Sequence, residues 1–408
     1  MSRSCNLLIV VLVLGAGAVS SLAQLSPADI AALRAQGERE GWTFVVTENP
    51  ATARPLSALC GLAEPPNWQE TAQFDPCEGV IDELPRIFDW RDVDGRNYCP
   101  PIRDQRSCGS CWAFASVGPV ECAIKIKDDV FVDLSEQWLV SCNQSGWSCA
   151  GGWWSHDYYR GATDPCGGTG AVLEAAFPYV ASNVPCRCPY PHVYRLIDWR
   201  YIGTGGGVPS VSSMKQAIYD RGPVCVAVYV DNAFQSYGGG VFNACANGTV
   251  NHGVVLVGWN DDDQCWLMRN SWGAGWGEDG YMRIKYNCSR IGYGATYVVY
   301  GSMQVNPQDG AELIGEPGGP FNPPSASYTL TNNSSVPFSY QVMKTQPWLT
   351  ITNGAGTIPA GGAVQFSVSA NSAANSLPLG VYEDTVTIQN MTNHNGDTTR
   401  RVYLRVGV

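Results

Sequence analysis

The stretch DQRSCGSCWAF, Asp104 to Phe114, sets Cys108 and Cys111 three residues apart. A C-x-x-C spacing serves a redox couple, half of a zinc site, or neither. The reactive form of cysteine is the thiolate, and a thiol near its ordinary value of about 8.5 is only slightly ionised at neutral pH. A helix beginning at about Ser110 would set its unpaired N–H groups and positive end against the Cys111 sulfur. Gly109 lets the backbone approach closely, which suits the binding of an anionic intermediate.

A thiol nucleophile needs a base, and the chain has four histidines. His394 belongs to the C-terminal part, His192 to the Pro-rich loop CPYPHVY, and His156 follows Gly-Gly-Trp-Trp. His252 heads the strand-like run GVVLVGW, where a side chain can be held rigidly. Asn270, at the end of CWLMRN, is a candidate amide partner for its second nitrogen.

The rest of the chain bounds what this constellation can be. The 408 residues suit two or three domains; 45 % hydrophobic and 15 % charged residues describe a folded, globular chain. A formal charge of −11 with no basic run excludes nucleic acid and anionic lipid as partners. Arg3, the apolar run Leu7 to Leu14 and the small residues ending at Ala23 have the layout of a secretory signal peptide, residues 1–23. The run is too short to span a bilayer, so a secreted, extracytoplasmic protein with no membrane span is expected. Of 16 cysteines, Cys5 leaves with that peptide, and the odd number remaining forces one thiol to stay free or to pair between chains.

Residues 24–83 open with a helical stretch, SPADIAALRAQGEREGW, and continue through Pro- and Asn-rich sequence. They read as a short, inhibitory pro-segment in the zymogen sense, or as a plain N-terminal extension. Residues 84–302 are rich in Cys and Trp, helical after Ser110 and strand-like later, in PVCVAVYV, HGVVLVGW, CWLMRN and GYMRIKY. That order predicts an α+β domain with segregated halves. Residues 303–408 contain no cysteine and alternate apolar and polar residues at short intervals, the pattern of an all-β sandwich.

CGSCWAF at 108–114, NHGVVLVGW at 251–259 and RNSWGAGWGEDGYMRIK at 269–285 together resemble the three active-site blocks of papain-family cysteine peptidases, in family order. His252 follows Cys111 by roughly 140 residues, within the about 130–150 expected of the family, and Asn270 by roughly 160, slightly beyond it, as an insertion in the middle would explain. The resemblance implies a two-lobe fold, a helical lobe plus a β-barrel lobe, followed here by an immunoglobulin-like sandwich. It implies Cys111 as nucleophile, His252 as base, Asn270 as the residue orienting the imidazole, and Trp272 as the indole shielding that bond. Gln105 matches the side-chain donor of the oxyanion hole. The implied activity is that of a secreted endopeptidase, a hydrolase cleaving peptide bonds through a thioester acyl-enzyme, with no metal or cofactor.

SCAGGWW resembles the segment in which Gly151 and Gly152 bond an extended protein or peptide substrate. Trp153 and Trp154 would then wall the pocket for the second residue before the scissile bond, opposite Ala227, Val250 and Asn251, with Tyr293 or Gly294 at its bottom. Such walls imply a hydrophobic preference. The same resemblance pairs Cys108 with Cys149, Cys142 with Cys186 or Cys188, Cys245 with Cys288, and, as in the cathepsin B branch, Cys99 with Cys122. Cys60 with Cys77, Cys225 with Cys265, and Cys166 with whichever of Cys186 and Cys188 remains complete the expectation, leaving Cys111 free. Gly118-Pro119 departs from the family by placing a proline inside the helix after Cys111. QPWLTITNGAGTIPAGG and LPLGVYEDTVTIQN are similar to small immunoglobulin-like modules of the BACON type, which implies attachment to carbohydrate or a cell surface, or a plain structural role in a monomer. A non-catalytic binding protein on the same fold, and a thiol-disulfide oxidoreductase using the C-x-x-C, remain the alternatives.

Overall fold

The architecture grows from one buried helix laid against one buried strand. In the computed structural model, which describes residues 24–77 and 84–408, the helix α3 spans Cys111–Asp128 and is buried over most of its length. A helix apolar on all sides belongs in an interior, and this one separates the two halves of the domain. The expected signal peptide, residues 1–23, lies outside the described residues, as do residues 78–83 at the expected pro-segment junction.

Five elements precede α3 on residues 24–77: helix α1 (Pro27–Glu40), strand β1 (Phe44–Val46), helix α2 (Leu56–Leu59), a short 3-10 helix (Trp68–Glu70) and strand β2 (Phe74–Asp75). α1 begins with a reciprocal capping box. The Ser26 Oγ accepts from the Asp29 N–H at 3.2 Å, and Asp29 accepts from the Ser26 N–H at 2.8 Å. Beyond α3, helix α4 (Glu136–Cys142) starts at Ser135, whose Oγ accepts from the Trp138 N–H at 2.9 Å.

The later half is a ten-stranded sheet that also takes in β1 and β2. Its other strands are β3 (Ile87–Asp89), β4 (Leu196–Ile202), β5 (Val224–Val228), β6 (Tyr237–Phe242), β7 (His252–Asn260), β8 (Cys265–Arg269), β9 (Tyr281–Lys285) and β10 (Tyr293–Tyr300). They run in the order β1-β6-β9-β8-β7-β5-β10-β4-β2, with β3 beside β7. β7 is central and buried for eight of its nine residues, which is why it reads as a continuous apolar run. Residues 24–77 therefore contribute a strand at each end of the sheet, β1 antiparallel to β6 and β2 parallel to β4.

Gly118-Pro119 does not end α3. A side chain at Gly118 would meet the Arg269 guanidinium at 2.9 Å and Val255 at 3.0 Å, so glycine there lets the helix approach β7 and β8 closely. Pro119 removes one hydrogen bond from a helix that neighbouring packing holds in place.

Four disulfides are formed: Cys108–Cys149, Cys142–Cys186, Cys166–Cys188 and Cys245–Cys288. Three expected pairs are not. Cys122 of α3 and Cys99 lie side by side in a buried cluster with Val255, Val257 and Leu267, as hydrogen-bonded thiols. Cys225 of β5 pairs in register with Val255, whereas Cys265 of β8 pairs with Asn260, about five residues and 17 Å farther along the same strand. That separation exceeds the roughly 7 Å between Cα atoms that a disulfide tolerates. Cys60 lies by Cys111, while Cys77 follows β2 at the sheet edge, its N–H donating to Asp75 at 2.9 Å. Among the described residues seven cysteines are thiols, not Cys111 alone.

Residues 303–406 form a sandwich of a four-stranded and a six-stranded sheet around Leu313, Leu330, Phe366, Val386 and Leu404. It docks on the first domain through Asn333, whose carbonyl accepts from the Arg195 N–H at 3.1 Å, through Ser335 Oγ, 2.7 Å from the Tyr194 hydroxyl, and through Asp128, at the end of α3. This carboxylate accepts from the Tyr300 hydroxyl at 2.5 Å, from Asn395 Nδ2 at 2.7 Å and from Asn393 Nδ2 at 3.2 Å. Asn143, Asn332, Asn333 and Asn390, four of the asparagines that stand in Asn-x-Ser/Thr sequence, use their side-chain amides in internal hydrogen bonds.

Asp128→Ala removes the shared acceptor and leaves three donors unpaired, at a cost of about 1–3 kcal/mol. Calorimetry should then resolve two unfolding transitions where the parent shows a closer pair. An unchanged thermogram would show that Asp128 does not hold the domains together.

Candidate active site

Cys111 stands at the first position of α3. Ser110 is its N-cap by position only, since no side-chain bond closes the end, so the N–H groups of the first turn remain directed at the sulfur. The Cys108–Cys149 bridge and the Gly109 N–H, which donates to the Cys149 carbonyl at 3.0 Å, tie the preceding loop to residues 148–152.

β7 supplies the histidine. A side chain at Gly253 would come within 3.1 Å of Ala115 and 3.3 Å of the Cys111 carbonyl, so only a very small residue allows strand and helix to meet there. The Gly253 N–H faces the Cys111 sulfur. His252, the preceding residue, is fully buried, and its Nε2 lies 2.8 Å from Asn270 Oδ1. Asn270 Oδ1 also accepts from the Ser271 N–H at 2.8 Å, which fixes the amide with its oxygen toward the ring. Nε2 is then the protonated nitrogen, and Nδ1, buried with no hydrogen-bond partner, keeps its lone pair. Trp272 covers this pair, its ring 4.8 Å from the imidazole and shielded from solvent.

Gln105 is buried on the other side of the sulfur. Its Oε1 accepts from the Ser271 hydroxyl at 2.7 Å, and its Nε2 donates to the carbonyls of Cys108, at 2.8 Å, and Leu59, at 2.9 Å. Leu59 belongs to the N-terminal segment. Its carbonyl occupies the place where a donor of this kind can bind an oxyanion, and it also faces His252. Two residues on, the Gly61 N–H donates to the Cys111 sulfur at 3.3 Å.

From there the segment runs along the other expected substrate contacts. Gly152 donates to the Gly61 carbonyl at 3.0 Å and accepts from the Ala63 N–H at 2.9 Å, and the Asn251 carbonyl accepts from the Leu62 N–H at 3.0 Å. Gly151 has φ 140, and a side chain there would meet the Gly61 carbonyl at 3.1 Å. Leu62 lies in one buried cluster with Trp153, Trp154, Ala227, Val250 and Tyr293. The two indoles stack at 4.6 Å, and Trp154 Nε1 donates to the Gly294 carbonyl at 2.8 Å. Trp68 then stacks on Tyr201 at 4.3 Å, and Arg54 forms a two-pronged ion pair with Asp104 at 2.7 and 2.8 Å.

Burial under this segment sets the electrostatics. Desolvation pushes the Cys111 thiol up to about 11 against the N–H groups of Gly253, Gly61 and Trp112. Desolvation lowers His252 to about 4 against the pull of Asn270 and Leu59. Both shifts favour a neutral thiol beside a neutral imidazole. Burial also raises the Asp104 carboxyl, but Arg54 and the Arg106 N–H outweigh it and hold the group below its usual value.

Three participants escaped the sequence reading. Ser271, which orients both Gln105 and Asn270, stands inside the RNSWG block and could have been found there. Tyr179, whose hydroxyl donates to the Gln105 carbonyl at 2.8 Å and meets Ser110 Oγ at 2.6 Å, carried no signal. Residues 59–63 had no motif marking them for the cleft. His156, by contrast, is buried away from the sulfur beside Thr296, and His192 binds Asp164.

The sequence signature of the papain family cysteine proteases matches residues 84–301, and that of the viral BACON domain matches residues 322–400. A viral cathepsin of Heliothis zea nuclear polyhedrosis virus is 32% identical over 224 residues, 53% of this chain and 58% of that protein. Ananain of Ananas comosus is 33% identical over 240 residues, 57% of this chain and 65% of that protein. The chain thus spans about three fifths of the length of the curated relatives it matches. The structure of digestive procathepsin L2 proteinase from Tenebrio molitor larval midgut superposes with a TM-score of 0.57 at 30% identity, over 65% of this chain and 87% of that one. With the signature covering more than half its length around the Cys111, His252 and Asn270 blocks, the chain belongs to the papain family of cysteine proteases.

Proposed function

We propose that this protein is a secreted cysteine endopeptidase made as an inactive precursor, in which residues 24–83 block the cleft until they are removed. The observation that carries this reading is the Leu59 carbonyl on Gln105 Nε2 next to the Cys111 sulfur, a peptide group held where a scissile carbonyl would sit. The pro-form structure of the Tenebrio molitor relative supports a precursor, and four disulfides support export.

With the segment gone, water returns to the cleft and the burial that favours the neutral pair is relieved. His252 Nδ1 takes the Cys111 proton, and the thiolate attacks the substrate carbonyl carbon. The oxyanion accepts from Gln105 Nε2 and from the Cys111 N–H. The imidazolium gives its proton to the leaving amine, leaving a thioester. A water deprotonated by His252 then attacks the thioester, releasing the acid and the thiol. Asn270 holds the ring throughout, and Trp272 keeps water from that bond.

Leu62, packed among Trp153, Trp154, Ala227 and Val250, supports a hydrophobic side chain two residues before the scissile bond. The oxidoreductase alternative would need Cys108 free, and Cys108 is bonded to Cys149. For the C-terminal sandwich we assign a structural role, since its fixed dock on Asp128 supports a part of the body rather than a tethered module.

Processed enzyme should cut peptides with a bulky apolar residue at that position, and Cys111→Ser should abolish cleavage while leaving the circular dichroism spectrum intact; retained turnover would overturn the assignment. Gln105→Ala should lower kcat by about 10²–10³-fold, the usual loss for one oxyanion donor. Alkylation by iodoacetamide gives the pH test. In the full chain Cys111 should react slowly at pH 6 and faster as the pH climbs past 9, whereas in the processed enzyme it should already react fast at pH 6. Equal rates in both forms would show that the segment does not quench the pair.

The Arg54–Asp104 pair adds an acid dependence. Because the folded carboxyl lies below its unfolded value, its contribution is complete above that value and disappears as pH falls through the folded one. Arg54→Ala should therefore raise the rate of segment release at pH 6 and flatten its acceleration below pH 4, followed by gel electrophoresis.

A further inference from the structure

Cys60 has no disulfide partner in the structure, yet it immediately precedes the glycine whose N–H reaches the Cys111 sulfur at 3.3 Å. The step from that nitrogen back to the Cys60 Cα is about 2.4 Å, so the Cys60 Cα lies within about 6 Å of the Cys111 sulfur. The two residues are thus neighbours, and a bond between them requires the Cys60 side chain turned toward Cys111 with the Cα atoms within about 7 Å. The position is well anchored. The Cys60 N–H ends α2 on the Leu56 carbonyl at 2.7 Å, and the flanking Leu59 and Gly61 carbonyls are held by Gln105 and Gly152.

Cys60 is also the more approachable of the two. It is half-buried and lines an open cavity of about 800 Å³ with Leu56, Tyr229, Ala233 and Asn251, whereas Cys111 is fully enclosed. Cys60 therefore stands nearer the surface than Cys111, although burial and the neighbouring Cys111 raise its thiol above the ordinary value.

We propose that Cys60 and Cys111 form a reversible disulfide that locks the precursor under oxidising conditions. The proposal rests on the reading of residues 24–83 as an inhibitory segment and of Cys111 as the nucleophile. The oxidant is a small-molecule disulfide, R–S–S–R. The Cys60 thiolate attacks one of its sulfurs, forming a mixed disulfide and releasing the first R–S⁻. Cys111 attacks the Cys60 sulfur, the Cys60–Cys111 bond forms, and the second R–S⁻ leaves; the two thiol protons pass to the two released thiolates. Two protein thiols are oxidised and one R–S–S–R is reduced to two R–SH. Reduction by thiols runs the same exchange backwards. The lock is covalent, so cleavage elsewhere in residues 24–83 leaves the cleft blocked until a thiol arrives. Activation then requires both proteolysis and a reductant.

The test uses the full chain, purified without reductant and incubated with glutathione disulfide. It is unfolded in iodoacetamide, digested and mapped by mass spectrometry. A peptide joining Cys60 to Cys111 is expected, with loss of Cys111 alkylation that dithiothreitol restores. Cys60→Ser should keep Cys111 alkylatable after the same treatment. Cys60 recovered joined to Cys77, or as a glutathione adduct beside an alkylated Cys111, would overturn the lock. Mass alone reads the bond, so its failure is distinct from failure of the peptidase reading, which hydrolysis by the reduced, processed enzyme decides separately.

Discussion

The seam between α3 and β7 is the constraint on which the rest of the molecule depends. A helix can bring its first residue against the first residues of a strand only where bulk is missing from both, and here Gly253 on the strand and Gly118 on the helix supply the room. The same approach brings the strand that carries His252 against the start of the helix that carries Cys111. Asn270 follows because β8 pairs with β7, and Gln105 follows because its N–H donates to the Ser271 carbonyl at 2.8 Å. Each polar group of the site is therefore placed by backbone pairing rather than by side-chain flexibility, which is the condition for a preorganised centre.

Residues 24–77 use the same surfaces in another way. They extend the sheet at both ends through β1 and β2, and between these anchors they lay a peptide through the cleft whose N–H and carbonyl groups take up the donors and acceptors of Gln105, Gly152 and Asn251. The electrostatic consequence is as important as the steric one. Desolvation penalises charge on both members of the pair, so the thiol and the imidazole are held neutral where a working site needs them ionised.

Local pattern carried much of this into the sequence. The helix after Ser110, the strand runs around 224, 252, 265 and 281, and the alternation beyond residue 303 are legible because each side chain's burial repeats with the period of its own element. Gly118-Pro119 read as a defect, since sequence shows the missing hydrogen bond and hides the neighbours that compensate. The cysteines show the limit more sharply. Cys245 with Cys288 followed from family resemblance, but Cys225 with Cys265 failed because both lie on strands whose register sets them about 17 Å apart along the sheet.

The order and spacing of the blocks around Cys111, His252 and Asn270 were determined by the sequence itself, as were the two-domain composition and the net acidic charge. Only the tertiary structure decided that seven cysteines of the described residues stay as thiols, that Ser271 aligns two side chains at once, and that Leu59 to Ala63 lie in the cleft with Cys60 beside Cys111. The physical reason is one of range. Helix starts and strand periods are set by neighbours along the chain, whereas the meeting of residues 60 and 111, like the failed meeting of 225 and 265, is set by which strands pair and in which register.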